Sequence, residues 1–201
     1  MKNKILVFRA TLLILSAVLF ANCKNDEMPL PKPPTYYRID FTEKNYQTFD
    51  SANYPYTFAC PSYAHVVPCA FAMAEPYWVD IEFPKYKATI NISYKKIPQR
   101  DVLKYYINDC YTFVSKHFDR SSGVLEQEYS DAVHAVYGLL YDIKGATVAS
   151  PCQFYLTDSN KHFLRGSLYF DCLPNNDSLQ PVIDFIRKDI DKLIETLRWR
   201  Y

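Results

Sequence analysis

Glycine is scarce in this chain, with 4 residues in 201. Loops that wrap a phosphate group in backbone N–H groups need several closely spaced glycines. The sequence has no such cluster. It also lacks the Gly-x-Ser-x-Gly turn that presents a catalytic serine between a strand and a helix. These two absences argue against a nucleotide-binding loop and against a hydrolase site of that type.

Metal and redox motifs are missing as well. The four histidines are His65, His117, His134 and His162, and no two of them have the spacing of a metal-ligand pair. There is no Cys-x-x-Cys. We therefore expect no metal and no cofactor apart from a covalent lipid. His117 should be structural at the end of a helix, and His134 should lie buried and neutral on a central strand.

Neither sign of charge dominates, since the chain has 23 basic and 22 acidic residues. This balance argues against a nucleic-acid partner. Two pairs of acidic residues, each two positions apart, could supply the acid and base of a glycosidase. They are Asp80 with Glu82 and Glu126 with Glu128. Spacing alone is weak support, and solvated charges are the simpler interpretation. Asp40, Glu43 and Lys44 are also expected to be solvated loop charges, so we predict no catalytic residues and a non-enzymatic protein.

Long hydrophobic runs are absent, and the longest covers residues 10–21. A membrane-spanning helix needs roughly 20 apolar residues, whereas the apolar part of a signal peptide needs about 7–15. The run follows the basic start Met1–Lys4, so a signal peptide over residues 1–22 is favoured over a retained anchor. Residues 20–23 resemble a bacterial lipobox, although Asn22 replaces the usual small residue. We predict lipid attachment at Cys23, with an ordinary thiol as the alternative.

Residues 23–35 hold four prolines between the predicted lipid site and the rest of the chain. Proline fixes φ and favours extended polyproline II at about 3.1 Å per residue. Residues 24–34 then form a stiff tether of about 30 Å. A proline-rich ligand for another domain is the alternative.

Residues 36–201 are long enough for one domain with its own core. Residues 54–59 and 63–67 are predicted to form short strands. Alternating apolar residues predict a hairpin over Tyr77–Phe83 and Thr89–Tyr94, and three later strands over residues 133–143, 152–157 and 163–170 are predicted to form a meander. Helical spacing covers residues 99–117 and a C-terminal helix capped by Asp177 or Ser178. This order predicts an α+β domain in which an antiparallel sheet carries two long helices, similar at fold level to the Mog1/PsbP sandwich. A coiled-coil partner for the last helix is the alternative.

Five cysteines follow Cys23, and an exported compartment permits disulfides. Cys60 with Cys69 would close a short loop, and Cys152 with Cys172 could join neighbouring strands. Cys110 falls on the apolar face of the first helix and is expected to be a small buried hydrophobe. Because five is odd, at least one thiol stays free or pairs between chains.

Several longer segments of the sequence are similar to those of one protein family. They are Tyr54-Pro55-Tyr56-Thr57-Phe58, Phe154-Tyr155-Leu156-Thr157-Asp158-Ser159, His162-Phe163-Leu164-Arg165-Gly166-Ser167-Leu168-Tyr169-Phe170 and Asp177-Ser178-Leu179-Gln180-Pro181-Val182. Because of these segments, the chain resembles the gliding-motility lipoprotein GldD of Bacteroidota over residues 31–199. Cys60 and Cys69 look atypical for the family.

The resemblance implies an envelope lipoprotein required for gliding and for the associated type IX secretion machinery. It implies a non-enzymatic assembly or stabilising factor whose partners are other envelope lipoproteins of that apparatus. The chain would sit on the periplasmic side, held by its lipid, with inner and outer membrane both open. Only Cys23 carries over as a functional position. The alternative is a ligand-binding or hydrolytic module in which His134 or His162 meets a carboxylate in a pocket.

Overall fold

The computed structural model describes residues 39–200. The predicted signal peptide 1–22, Cys23 and the tether 23–35 lie outside this range. The two proposed boundaries, after residues 22 and 35, therefore stay predictions.

The described residues contain ten strands and two long helices. In chain order these are β1 (Tyr46–Phe49), β2 (Tyr56–Pro61), β3 (His65–Pro68), β4 (Val79–Phe83), β5 (Ala88–Lys96), α1 (Arg100–Ser115), β6 (Gly123–Asp131), β7 (Val136–Lys144), β8 (Cys152–Thr157), β9 (His162–Phe170), α2 (Asn176–Thr196) and β10 (Arg198–Trp199). Seven strands form one sheet in the order β3-β4-β5-β9-β8-β7-β6, and three form a small sheet in the order β1-β2-β10. Every pair is antiparallel. The prediction of an α+β domain with an antiparallel sheet and two helices is confirmed.

The main core lies between one face of the large sheet and a layer made of α2 and β2. Strand β4 shows how the sequence directs this packing, because Val79, Ile81 and Phe83 are buried while Glu82 between them is exposed. Side chains alternate across a strand, so one face becomes apolar and the other polar. The predicted hairpin of β4 and β5 and the predicted meander of β7, β8 and β9 are both confirmed.

The opposite face of the large sheet is only partly covered, by α1. Val114 packs against Tyr141 and Ile143, and Cys110 packs against Phe163, so the helix lies over the β7–β9 half. Cys110 is buried as predicted. The outer face of β3, β4 and β5 stays open beside the helix.

The sequence predicted a strand over residues 54–59, close to β2, but it did not predict β6 or the two outer strands of the small sheet, β1 and β10. Strand β6 is an edge strand whose residues are mostly exposed on both faces, so it has no apolar alternation to detect. Strands β1 and β10 are 4 and 2 residues long. Such short strands form because the core positions them, and their own sequence carries too little pattern.

The prediction for the start of the last helix was wrong by two or three residues. The cap is Asn175, and it makes no side-chain capping bond. Instead Asn176, in the first turn, donates from Nδ2 to the carbonyl oxygens of Gly145 and Val148 at 2.8 and 2.9 Å. The helix start is therefore fixed by the β7–β8 connection, a long-range contact that local sequence does not show.

Candidate functional site

The two expected disulfides do not form, since all five cysteines of the described domain are free thiols. Cys60 lies on β2 of the small sheet, whereas Cys69 follows β3 of the large one. On β8 and β9, Gln153 pairs with Ser167, which places Cys152 beside Leu168. Cys172 is four residues further along, about 13 Å at strand rise, whereas disulfide-bonded Cα atoms lie within about 7 Å.

His134 does not lie on a central strand, so that prediction was wrong. It sits in the turn between β6 and β7, where its Nδ1 lies 2.6 Å from Oδ2 of Asp131. The hydrogen bond from His134 holds the pKa of the Asp131 carboxyl below its usual value. Ala135 follows with a positive φ of 52°. The pair is exposed and shapes a tight turn.

His162 is buried in the main body of the domain. The Tyr94 hydroxyl lies 2.8 Å from its Nδ1, and its ring stacks on Trp199 at 5.1 Å between centroids. Burial lowers the pKa of His162, so the ring is held neutral. Both histidines of the alternative hypothesis therefore have structural partners.

Neither predicted acidic pair is buried. Glu82 is exposed, and the Asp80 carboxylate accepts a hydrogen bond from Asn91 at 2.7 Å. Glu126 and Glu128 lie exposed on the edge strand β6. Across residues 39–200, no three His, Cys, Asp or Glu side chains are grouped so that they could hold a metal ion.

The sequence missed a buried cluster around Asp189, and the prediction of Lys44 as a solvated loop charge was wrong. Asp189 on α2 is 2% exposed. Its carboxylate accepts from Lys44 Nζ at 2.5 Å, from Tyr46 at 2.7 Å and from Tyr63 at 2.6 Å. We call these four residues the Asp189 cluster.

Further contacts hold Lys44 in the Asp189 cluster. Its Nζ donates to the carbonyl oxygen of Phe185 at 2.9 Å and lies 3.8 Å from that ring's centroid. Burial, followed by the hydrogen bond to Asp189, raises the pKa of Tyr46 and Tyr63 well above the usual value. The cluster ties the segment before β1 to the middle of α2. The detectable signal was an acid inside the apolar stripe between Ile186 and Ile190.

A cleft of about 480 Å³ opens on the uncovered face of the large sheet. The sheet contributes Asn91, Arg165 and Ser167, and the β3–β4 loop contributes Phe71. Trp78 stands at the start of β4, where its Nε1 donates to the carbonyl oxygen of Tyr94 at 3.0 Å. We call this hollow the open-face cleft. The sequence did not predict this cleft.

The Arg165 guanidinium lies between the open-face cleft and α1. Its Nη2 donates to Oε1 of Gln153 at 3.2 Å, and its central carbon lies 4.1 Å from the centroid of the Phe113 ring. Within the described residues no carboxylate lies within 4.0 Å of it. The cleft thus has a fixed cation held by an amide and an aromatic ring.

No helix among residues 39–200 is both long enough and apolar enough to span a bilayer. The predicted lipid site at Cys23 lies outside that range, so no contact of this residue is described.

Comparison with known proteins gives one family. A family model described as "Gliding motility lipoprotein GldD" matches residues 26–199. The match covers nearly all of the described domain and begins three residues after Cys23. No curated protein matches the sequence.

A search of solved structures finds the solution structure of cyanobacterial PsbP (CyanoP) from Synechocystis sp. PCC 6803. The alignment covers 83% of this chain and 99% of that chain, with 13% sequence identity and a TM-score of 0.49.

Proposed function

Since the chain belongs to the gliding motility lipoprotein GldD family, we propose that it is needed for gliding or for the associated type IX secretion machinery. It would act there as a non-enzymatic assembly or stabilising factor among other envelope lipoproteins. The observation that carries this proposal is the family match over residues 26–199, which includes both helices and all ten strands. As a member of a lipoprotein family, the protein is anchored to a membrane of the cell envelope.

The anchor is proposed to be a lipid on Cys23, facing the periplasm. A single acyl chain binds a bilayer only marginally, so a stable anchor takes more than one chain. A proline-rich tether of about 30 Å would then hold the domain above the lipid headgroups. This arrangement suits a protein that must meet partners close to the membrane.

The Asp189 cluster supports a stabilising role for a tethered domain. Lys44 lies shortly after the tether, and its ion pair with Asp189 fixes that part of the chain to α2. A force applied through the tether would therefore act on the Lys44–Asp189 ion pair with α2 before it acts on β1. In this proposal the ion pair would fasten the domain at the point where an anchored adaptor carries load.

The test is deletion of the gene followed by complementation. Loss of the gene should reduce export of type IX substrates into the medium and abolish surface spreading, and the wild-type gene should restore both. A Cys23→Ala chain should fail to restore them and should not incorporate a fatty-acid label. Cys172→Ala is the matched control, because Cys172 is an exposed cysteine of the folded domain. Normal secretion and normal spreading after deletion would overturn the proposal.

Partners are tested in the same strains. A tagged wild-type chain purified from envelopes should bring down other envelope lipoproteins of the apparatus, and the Cys23→Ala chain should bring down fewer. A tagged chain that purifies alone from intact envelopes would contradict the assembly role.

A further inference from the structure

We propose that the open-face cleft binds a monocarboxylate with an apolar body, either as a small molecule or as the carboxyl-terminal residue of a peptide. The inference rests on the side chains of the cleft and goes beyond the role in export. It gives the domain a ligand site that neither the sequence motifs nor the family match points to.

A row of polar residues crosses the sheet beneath the open-face cleft. The register pairs Asp80 with Asn91, Asn91 with Ser167, and Ser167 with Gln153, so these residues stand side by side on four adjacent strands. Residues in register on one sheet face present their side chains to the same space. The row therefore gives the cleft a polar floor, in a sheet whose other face is apolar.

Three polar atoms in and beside this floor have no hydrogen-bond partner among the described residues. They are Ser167 Oγ, Gln153 Nε2 and Arg165 Nε. Ser167 and Gln153 are each 2% exposed, and Ser167 lines the cleft. Buried polar groups in folded proteins are nearly always paired, so unpaired donors that border a cleft indicate a ligand that accepts hydrogen bonds.

Charge selects the acceptor. Arg165 is a cation without a carboxylate partner in the described part of the chain, and guanidinium groups bind carboxylates through short, charge-assisted bonds. Asp80 lies at the other end of the polar row, two strands from Ser167. Its negative charge disfavours a second anionic group there. The cleft should therefore prefer a single carboxylate.

Aromatic side chains provide the surface for the rest of the ligand. Phe71 is 63% exposed and Tyr169 is 37% exposed, and both line the cleft with Trp78. Exposed aromatic rings that converge on one hollow are typical of a binding surface. A volume of about 480 Å³ falls within the usual range for small ligands.

The two tryptophans allow a direct test. Trp78 lines the cleft, whereas Trp199 is buried and donates to the carbonyl oxygen of Ala135 at 3.0 Å. The chain from residue 24 onward retains the whole described core, and its two indole N–H signals can be followed by NMR. The probes are 3-phenylpropionate and the peptide Ala-Ala-Phe with a free carboxyl terminus, each beside its neutral amide. Phenylsuccinate supplies a second carboxylate.

At least one acid should shift the Trp78 indole signal saturably and leave the Trp199 signal in place. Its neutral amide should bind about ten- to a hundredfold more weakly. This is the loss of affinity expected when a hydrogen bond to a charged group is replaced by one to a neutral group. Phenylsuccinate should bind more weakly than phenylpropionate. Whichever of the two acids binds more tightly identifies the source of the carboxylate.

Variants connect the effect to the named residues. Arg165→Gln should bring the ratio of acid to amide affinity close to one, and Ser167→Ala should weaken acid binding. Arg100→Gln is the matched control, because Arg100 is exposed at the start of α1 and lies outside the cleft. An unchanged Trp199 signal shows that each variant is folded.

The proposal is wrong if neither acid shifts the Trp78 signal at millimolar concentration. It is equally wrong if acid and amide bind the wild-type chain alike, a result that needs no variant to fold. A deletion strain with normal secretion would leave this result untouched, so the two proposals fail independently.

Discussion

Replacing Asp189 by alanine should destabilise the domain more than any other change of a single charge on α2. The carboxylate is 2% exposed and holds Lys44, Tyr46 and Tyr63 together. Its removal leaves a partly buried ammonium group and two tyrosine hydroxyls without their acceptor. The loss is that of a buried ion pair broken from one side.

Breaking such a pair typically costs about 3–5 kcal/mol. The Lys44 side chain is 24% exposed and can regain some hydration, so we expect a value near 3 kcal/mol, at the lower end of that range. A domain has about 5–15 kcal/mol of total stability, so the change consumes a large share of it.

Urea denaturation of the chain from residue 24 onward measures this effect, through the shift of the unfolding midpoint at constant slope. Asp184→Ala is the matched control, since Asp184 is exposed on the same helix and its carboxylate accepts a hydrogen bond, among residues 39–200, only from Gln180. It should change stability by less than about 0.5 kcal/mol. The reasoning fails if both alanine variants lose the same amount.

A double-mutant cycle isolates one contact within the cluster. Tyr63→Phe alone should cost about 1.5–3 kcal/mol, because its hydroxyl donates to a charged acceptor. In the Asp189→Ala background the same change should cost much less. Strict additivity of the two changes would show that the hydrogen bond contributes nothing measurable.

Three further predictions follow from burial and packing. In the folded chain a maleimide should label Cys172 within minutes and Cys152 only after denaturation, and mass spectrometry without reduction should find no disulfide. Gly138→Ala should cost about 1–3 kcal/mol in thermal or urea unfolding because its new Cβ would overlap the carbonyl oxygen of Tyr155, whereas Gly123→Ala, with open space around it, should be near neutral. Burial raises the pKa of Tyr94 to about 12 from 10.0. The unfolded chain therefore loses this proton first, so the contribution of Tyr94 to the free energy of unfolding should be full below pH 10 and should fall between pH 10 and 12. The fall should be less steep in Tyr94→Phe. A urea midpoint that is constant between pH 10 and 12 would contradict this prediction.

The prediction of the domain from sequence worked where the pattern is local. The alternation of Val79, Ile81 and Phe83 predicted a half-buried strand, and the stripe along the last helix predicted a helix packed on a sheet. Both elements bury the side chains that the pattern selects. The pattern failed for β6, an edge strand with little to bury on either face.

The two disulfide predictions failed for a different reason. A cysteine count permits several pairings, and only the register of the strands fixes which sulfur atoms are neighbours. The register places Cys152 beside Leu168 and leaves Cys172 beyond the end of β9. The spacing of cysteines along the chain does not reveal how far apart their Cα atoms lie in the fold.

The sequence by itself determined both helices, the strands with a clear apolar face and, through long specific segments, the family. Each of these is encoded within short stretches of neighbouring residues. The tertiary structure decided the Asp189 cluster, whose Lys44 and Asp189 are 145 positions apart, and the open-face cleft, whose floor joins four strands. Such sites depend on strand register and helix placement, which arise when the whole core packs.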